Sequence, residues 1–344
     1  LKLYKIDFDN FLIISIKNTH IPQMGIPKLN QYLTRHCSDK SIGKKHLSTF
    51  NGKTIVIDAS IYLYKFNAND TLIESMFQMV RIFQYYNITP IYIFDGQPPE
   101  EKRTLLNERK TIKNDAEDKY KTLYDNYNVL ALTENKTLIT QAKLEDMKHE
   151  MEKLKGKFVR VRRSDTQNVR NLLDLLKIEH YTADGEADVM CVQMVLNNIV
   201  WACMSDDMDM FVYGCTRVMR FMSLRDHTIM FYNINGILRE LKIPMTDFRK
   251  IAVMSGTDYN TKQTFNINDV IQSYYMYKTA DTTTDFNEWY SSFTSNDIDI
   301  DKLKHIYEMF SLSGSPFALK PVIRNIDINM TLTKFLRPYG FVFA

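Results

Sequence analysis

Cysteine is scarce in this chain, and what there is stands apart. Cys37, Cys191, Cys203 and Cys215 are the only four in 344 residues, and no two of them form a CxxC pair. That excludes a zinc knuckle and a secreted disulfide framework, and it points to a reducing, intracellular setting. Excess charge is missing as well. With 44 Lys+Arg against 41 Asp+Glu, the composition does not declare a nucleic-acid binder, so any electropositive surface must be local. Long apolar runs are absent too. The N-terminal stretch Phe11 to Ile16 is far too short to cross a bilayer, no small-residue cleavage site follows it, and no membrane contact is expected. Internal repeats and low-complexity blocks do not occur. What remains is a globular composition, 44% hydrophobic, in a length that suits one large domain or two ordinary ones.

Short apolar runs alternate with amphipathic segments, the pattern of an α/β architecture with a mainly parallel sheet. Thr54-Ile55-Val56-Ile57, Ile91-Tyr92-Ile93-Phe94 and the run from Ile199 to Met204 read as buried strands. Between the first two, Leu72, Ile73, Met76, Phe77, Val80 and Phe83 fall on one face of a helix over 71–86, which makes a βαβ unit. From about Asn114 to Lys157 the chain turns polar and rich in Lys and Glu, too long for an ordinary connection and expected to be a functional insertion or cap. Beyond Pro244 it reads mostly helical. Met24-Gly25-Ile26-Pro27 looks like a second, more natural start than Leu1, so residues 1–24 are expected to be a leader outside the fold, with Gly25 as the working N-terminus.

Each of the three strands ends in or beside an aspartate: Asp58, Asp95, and Asp207 with Asp209. In open α/β sheets ligands bind beyond the carboxyl ends of strands, so these acids should meet at one edge. Glu186 and Asp188 stand just before a helical run, two residues apart, so at least one belongs to the turn or first helical turn. Asp258 follows a helix that Gly256 should terminate. One aspartate after a strand is more often a helix cap than a catalyst. Several together repel one another unless a cation neutralises them, and oxygen ligands without His or Cys suit Mg²⁺ or Mn²⁺ rather than zinc. Two such ions about 4 Å apart can activate water and stabilise a leaving oxygen, which favours phosphoryl transfer. Close to Asp95, Lys102, Leu106, Arg109 and Lys113 share one helical face, a stripe able to clamp a phosphate or simply to be solvated. A second basic patch holds Lys153, Lys155, Lys157, Arg160, Arg162 and Arg163, a density suited to nucleic-acid backbone, although basic runs are usually only solvated surface.

Six motifs in order resemble the flap endonuclease branch of the structure-specific 5′ nucleases, which carry a PIN-like catalytic domain. They are Met24-Gly25-Ile26-Pro27, Ile57-Asp58-Ala59-Ser60, Phe94-Asp95-Gly96-Gln97-Pro98-Pro99, Gly185-Glu186-Ala187-Asp188, Ser205-Asp206-Asp207-Met208-Asp209 and Ser255-Gly256-Thr257-Asp258-Tyr259. The resemblance implies that Asp58, Asp95, Glu186, Asp188, Asp207, Asp209 and Asp258 are the family's metal-site acids, holding two Mg²⁺ ions for which Mn²⁺ can substitute. It makes Lys102 and Arg109 the pair on the scissile phosphate, Tyr64 the aromatic on which a base stacks, and 100–157 the helical arch and cap that a 5′ single strand passes. A PIN-like domain over 25–240 and a helical C-terminal region over 241–344 follow from it. Two departures stand out. Position 188 is normally glutamate, and the glycines of the family's helix-hairpin-helix are replaced by Asn266 and Asn268, in Phe265-Asn266-Ile267-Asn268. Asn tolerates the left-handed backbone, so a hairpin-like turn with weaker duplex grip is expected, with Asn268 capping the helix that follows.

The implied activity is a structure-specific 5′ nuclease (flap endonuclease or 5′→3′ exonuclease) acting on branched or flapped DNA in replication and repair, with RNA as an open second substrate. A 5′→3′ exoribonuclease remains open because Gly25-Ile26-Pro27-Lys28 also looks like that family's start, and so does an inactive nucleic-acid-binding scaffold. A monomer is expected, with no sliding-clamp motif. An intracellular place, the nucleus or another site of DNA replication, fits either a cellular or a viral source.

Overall fold

The computed structural model describes residues 25–132, 138–260, 265–280, 282–294, 298–312, 319 and 330–342. The expected leader, 1–24, lies outside them. Seven strands form one sheet: β1 (Ile42–His46), β2 (Thr54–Asp58), β3 (Thr89–Phe94), β4 (Glu179–Thr182), β5 (Ala202–Met204), β6 (Arg217–Ser223) and β7 (Thr228–Asn233). Their spatial order is β1-β7-β6-β5-β2-β3-β4. The run β6-β5-β2-β3-β4 is parallel, while β7 is antiparallel to both β6 and β1.

Helices cover both faces, which is why β2 and β3 read as unbroken apolar runs rather than alternating ones. Ile55, Ile57, Tyr92 and Phe94 join one buried cluster and Val56, Ile91 and Ile93 the other. The first face is covered by α2 (Ala59–Asn67), α3 (Leu72–Tyr85), α6 (Arg163–Leu175) and the short α14 (Leu332–Leu336). On the second lie α1 (Leu29–His36), α7 (Ala187–Leu196), α8 (Asp209–Tyr213) and α9 (Ile234–Leu241), followed by α10 (Met245–Ser255), α11 (Ile267–Thr279), α12 (Phe286–Thr294) and α13 (Ile300–Met309). All six apolar residues foreseen on α3 are buried.

The polar insertion is a pair of packed helices, α4 (Arg103–Ala131) and α5 (Leu138–Lys155). In 29 residues α4 buries only Ala116, so its sequence carries too little apolar surface to dock along its length on the body. Among the described residues no helix is long and apolar enough to cross a membrane.

Two local expectations need correction. The strand foreseen from Ile199 is confined to Ala202–Met204, because the Ile199 amide still bonds back to the Met194 carbonyl at the end of α7. At α11 the cap is Asn266, not Asn268. The Asn266 side chain accepts from the Asn268 amide, its φ of −64° is not left-handed, and Asn268 sits in the first helical turn. Residues 261–264, where the rest of a hairpin turn would fall, are outside the described residues.

Candidate active site

β5, β2 and β3 are neighbours in the sheet, so their carboxyl ends place Asp207, Asp58 and Asp95 side by side at one edge. Asp58 closes β2 and caps α2 by accepting from the Ser60 amide at 3.0 Å. Asp95 follows β3, where it accepts from the Ser60 hydroxyl and, at 2.8 Å, from the Ala187 amide. That second bond joins Asp95 to the start of α7, with Glu186 as the N-cap residue and Asp188 in the first turn. Gly96 makes the approach possible: its amide bonds Gly185 O at 2.7 Å, and a Cβ there would fall 2.0 Å from the Ala183 carbonyl.

The loop after β5 turns its odd-numbered residues toward the same place. Ser205 donates to Asp58 Oδ2 at 3.2 Å and accepts from the Asp207 amide, and Asp207 Oδ1 accepts from the Asp209 amide at 2.9 Å. Gly25 presses against this loop with φ +77°, and a Cβ on it would stand 2.6 Å from Asp207 Oδ1 and 2.9 Å from Asp209 Oδ1. No other residue fits there without moving the acids. Asp258 arrives from the loop after α10, which Gly256 ends with φ 111°.

Lys102 is not on an open stripe. It is 7% exposed, with its ammonium 2.6 Å from Glu186 Oε1, 3.5 Å from Asp258 Oδ2 and 5.1 Å from the centre of the Tyr259 ring. The Tyr259 hydroxyl donates to Glu186 Oε2 at 2.9 Å. Arg109 bonds Asp258 Oδ1 at 2.9 Å, and the Lys113 ammonium lies 4.7 Å from the Tyr64 ring, itself 42% exposed. Of the face foreseen from Lys102 to Lys113, Lys102 and Arg109 thus reach the acids, while Lys113 lies over Tyr64.

The two cations do not neutralise the cluster. Burial raises the carboxyl of Asp58 to about 8, with the charges of Asp95 and Asp207 adding to the effect. Burial likewise raises Asp207, and it pushes Asp188 and Asp209 well above the usual carboxylate range. Among the described residues no donor reaches the buried Asp188 Oδ1 or Asp209 Oδ1. Among the described residues no three acid, His or Cys side chains stand close enough to grip an ion as they are, and Lys102 sits among them paired to Glu186 and Asp258. The donor chemistry nonetheless fits a hard divalent cation: every acid offers oxygen, two buried oxygens lack a partner among the described residues, and the charge is underneutralised.

The second basic patch is partly spent on acids. Arg160 pairs with Glu117 at 2.8 Å and Lys155 with Asp70 at 2.7 Å, while Lys157, Arg162 and Arg163 remain exposed. Asn266 and Asn268 lie at the start of α11. Sequence reasoning passed over Ser60, Ser205, Tyr259 and Arg220. The serines carry a signal, each lying two residues from a motif acid, but Arg220 carries none, since an Arg that interrupts a short apolar run looks like a surface position.

Two family descriptions match: the XPG N-terminal domain over residues 24–116 and the XPG I-region over 177–258, together half of the chain. The chain is 27% identical over 256 residues to Flap endonuclease 1-B of Physcomitrium patens, an alignment that spans 69% of this chain and 67% of the relative. To Flap endonuclease 1-A of Oryza sativa subsp. japonica it is 26% identical over 255 residues, spanning 69% of this chain and 62% of the relative. The chain thus spans about two thirds, or less, of the length of these relatives. The fold is similar to the catalytic core of Rad2 in complex with DNA substrate, with a TM-score of 0.58, 20% identity, and coverage of 91% of this chain and 94% of that one. Human GEN1 in complex with Holliday junction DNA gives 0.57 at 17% identity, covering 91% and 73%.

Proposed function

Since this chain belongs to the flap endonuclease family of the XPG nucleases, we propose that it is a divalent-metal-dependent structure-specific 5′ nuclease that hydrolyses phosphodiester bonds in branched or flapped DNA. The observation that carries the reading is the meeting of Asp58, Asp95 and Asp207 at one sheet edge with Glu186, Asp188, Asp209 and Asp258 brought up beside them, two of the buried oxygens lacking a donor among the described residues. Two Mg²⁺ ions, or Mn²⁺ in their place, would be held by these carboxylates and would supply positive charge against the attacked phosphate. Ser60 and Ser205 orient Asp95 and Asp58 through hydrogen bonds, and Gly25, having no Cβ, leaves room for Asp207 and Asp209. Lys102 and Arg109 stand where they can turn from the acids to the phosphate as negative charge develops on it. Tyr64 offers an exposed ring for a base, and the pair α4 and α5 rises beside it as the arch for a 5′ strand. The protein would act inside the cell where DNA is replicated or repaired.

The deciding experiment compares the natural protein with Asp207→Ala and Asp95→Ala on flap, nicked and single-stranded DNA and on RNA. Cleavage of flap DNA in Mg²⁺ should vanish in both variants, while binding in Ca²⁺ stays within a few-fold. Near-normal cutting by either variant would refute the site. Cleavage confined to RNA 5′ ends would make it an exoribonuclease, and binding without any cleavage a scaffold.

A further inference from the structure

Arg220, on β6, is among the largest fully buried side chains of the protein, 1% exposed. Among the described residues no carboxylate lies within ion-pair distance of it. A guanidinium does not give up its proton, so a buried one keeps its charge and must be held by hydrogen bonds and aromatic faces. Its Nη2 donates to the Asp206 carbonyl and its Nη1 to Asn30 Oδ1 at 3.0 Å and toward the Met208 sulfur. The rings of Phe221, Tyr232 and Phe211 lie 4.4, 5.5 and 5.9 Å from its guanidinium carbon. The Tyr232 hydroxyl donates to the same Asn30 oxygen at 2.7 Å, and the Phe221 amide donates to Asp206 Oδ1 at 2.7 Å.

The parity of the loop 205–209 is what matters. Asp206 and Met208 face Arg220, whereas Ser205, Asp207 and Asp209 face the acid cluster. The register shift between Arg220 and Ser223, with Phe221 at φ 54°, sets this up. A left-handed backbone at an aromatic residue is costly and persists only where the surroundings enforce it. Here it lets Arg220 point inward while the Phe221 amide reaches Asp206.

We propose that Arg220 is a positioning residue for the metal site, fixing Asp207 and Asp209 by fastening the two residues interleaved with them and tying that loop to α1 through Asn30. Its fixed positive charge, set behind the loop, also offsets the mutual repulsion of the acids it holds. The inference rests on the reading of Asp207 and Asp209 as ion ligands.

Direct binding of Mn²⁺ to the protein without nucleic acid, followed by loss of the free-ion EPR signal, tests it. Arg220→Lys keeps the charge and loses the fork, and Arg220→Met keeps only the stem. Both should weaken Mn²⁺ binding by about 10–100-fold, the usual cost of removing a group that orients metal ligands. Cleavage should lose kcat with KM for flap DNA little changed. Asn30→Ala loosens the same guanidinium with less risk to folding, and it should weaken Mn²⁺ binding in the same direction; it decides the matter if the Arg220 variants do not fold. A merely structural Arg220 would lower the melting temperature and leave Mn²⁺ affinity per folded molecule untouched, and that result overturns the proposal. Unchanged Mn²⁺ affinity in variants of a protein that cuts flap DNA removes this inference alone. Weakened Mn²⁺ binding in variants of a natural protein that cuts nothing removes the nuclease reading alone.

Discussion

Lys102 is drawn toward two kinds of anion. Buried between Glu186 and Asp258, it does for these two acids what a divalent ion would do for all seven, and the same reach brings it to any phosphate laid across them. Burial by itself would depress its pKa, and Glu186, Tyr259 and Asp258 together more than reverse that, so it stays an ammonium. Arg109 makes the same kind of contact from a more open position, 38% exposed against 9% for the Lys102 side chain. We therefore expect Lys102→Ala to slow the single-turnover cleavage rate by about 10²–10³-fold, and Arg109→Ala by less, with flap affinity in Ca²⁺ falling only a few-fold. An unchanged rate beside a large loss of affinity would make both ordinary binding residues. The acids were legible in the sequence because each follows an apolar strand or marks a helix end, which is local information. That Lys102 lies buried among them was not, since its partners stand 84 and 156 positions away in the chain, at Glu186 and Asp258.

Elements announced themselves in proportion to their apolar content. β2, β3 and α3 are covered on the faces their sequences declare, and all three were legible. β6 was not, because Arg217 and Arg220 break its apolar run, and only the packing of β7, α1 and the loop 205–209 makes a home for a buried cation. The edge strand β4 is four residues long with a single buried position, too little pattern to read. At α11 the sequence suggested glycine substitutes in a hairpin, whereas Asn266 is extended and caps the helix while Asn268 is helical. Neither position needs a positive φ, so Asn266→Gly with Asn268→Gly should bring no gain in duplex affinity. Asn266→Ala should cost about 1 kcal/mol in urea unfolding through loss of the cap. Flap binding should show no preference for K⁺ over a non-coordinating cation at equal ionic strength. A tighter-binding double glycine variant, or a clear K⁺ preference, would restore the hairpin as a phosphate-gripping device.

For the whole molecule the acid cluster is a standing liability that only cations relieve. Asp58 titrates at about 8 in the fold, against about 3.9 for a free aspartate, so between those values the unfolded chain holds fewer protons than the native one. Stability must then fall as pH rises through that window, the reverse of the usual salt-bridged aspartate, and the contribution present at low pH is lost above the folded value. Asp188, Asp207 and Asp209 shift in the same direction and deepen the fall. A divalent ion binds only the ionised carboxylates, so it stabilises the native state most where the protons are already gone. In EDTA the melting temperature should therefore drop between about pH 5.5 and pH 8, and Mg²⁺ should raise it far more at the upper pH than at the lower. Asp58→Asn removes one titrating group while keeping an acceptor for the Ser60 amide, so it should flatten the slope in EDTA and shrink the Mg²⁺ gain together. A melting temperature indifferent to pH in EDTA, or an Mg²⁺ gain equal at both pH values, would mean that the acids are neutralised from within and that Lys102 and Arg109 already suffice.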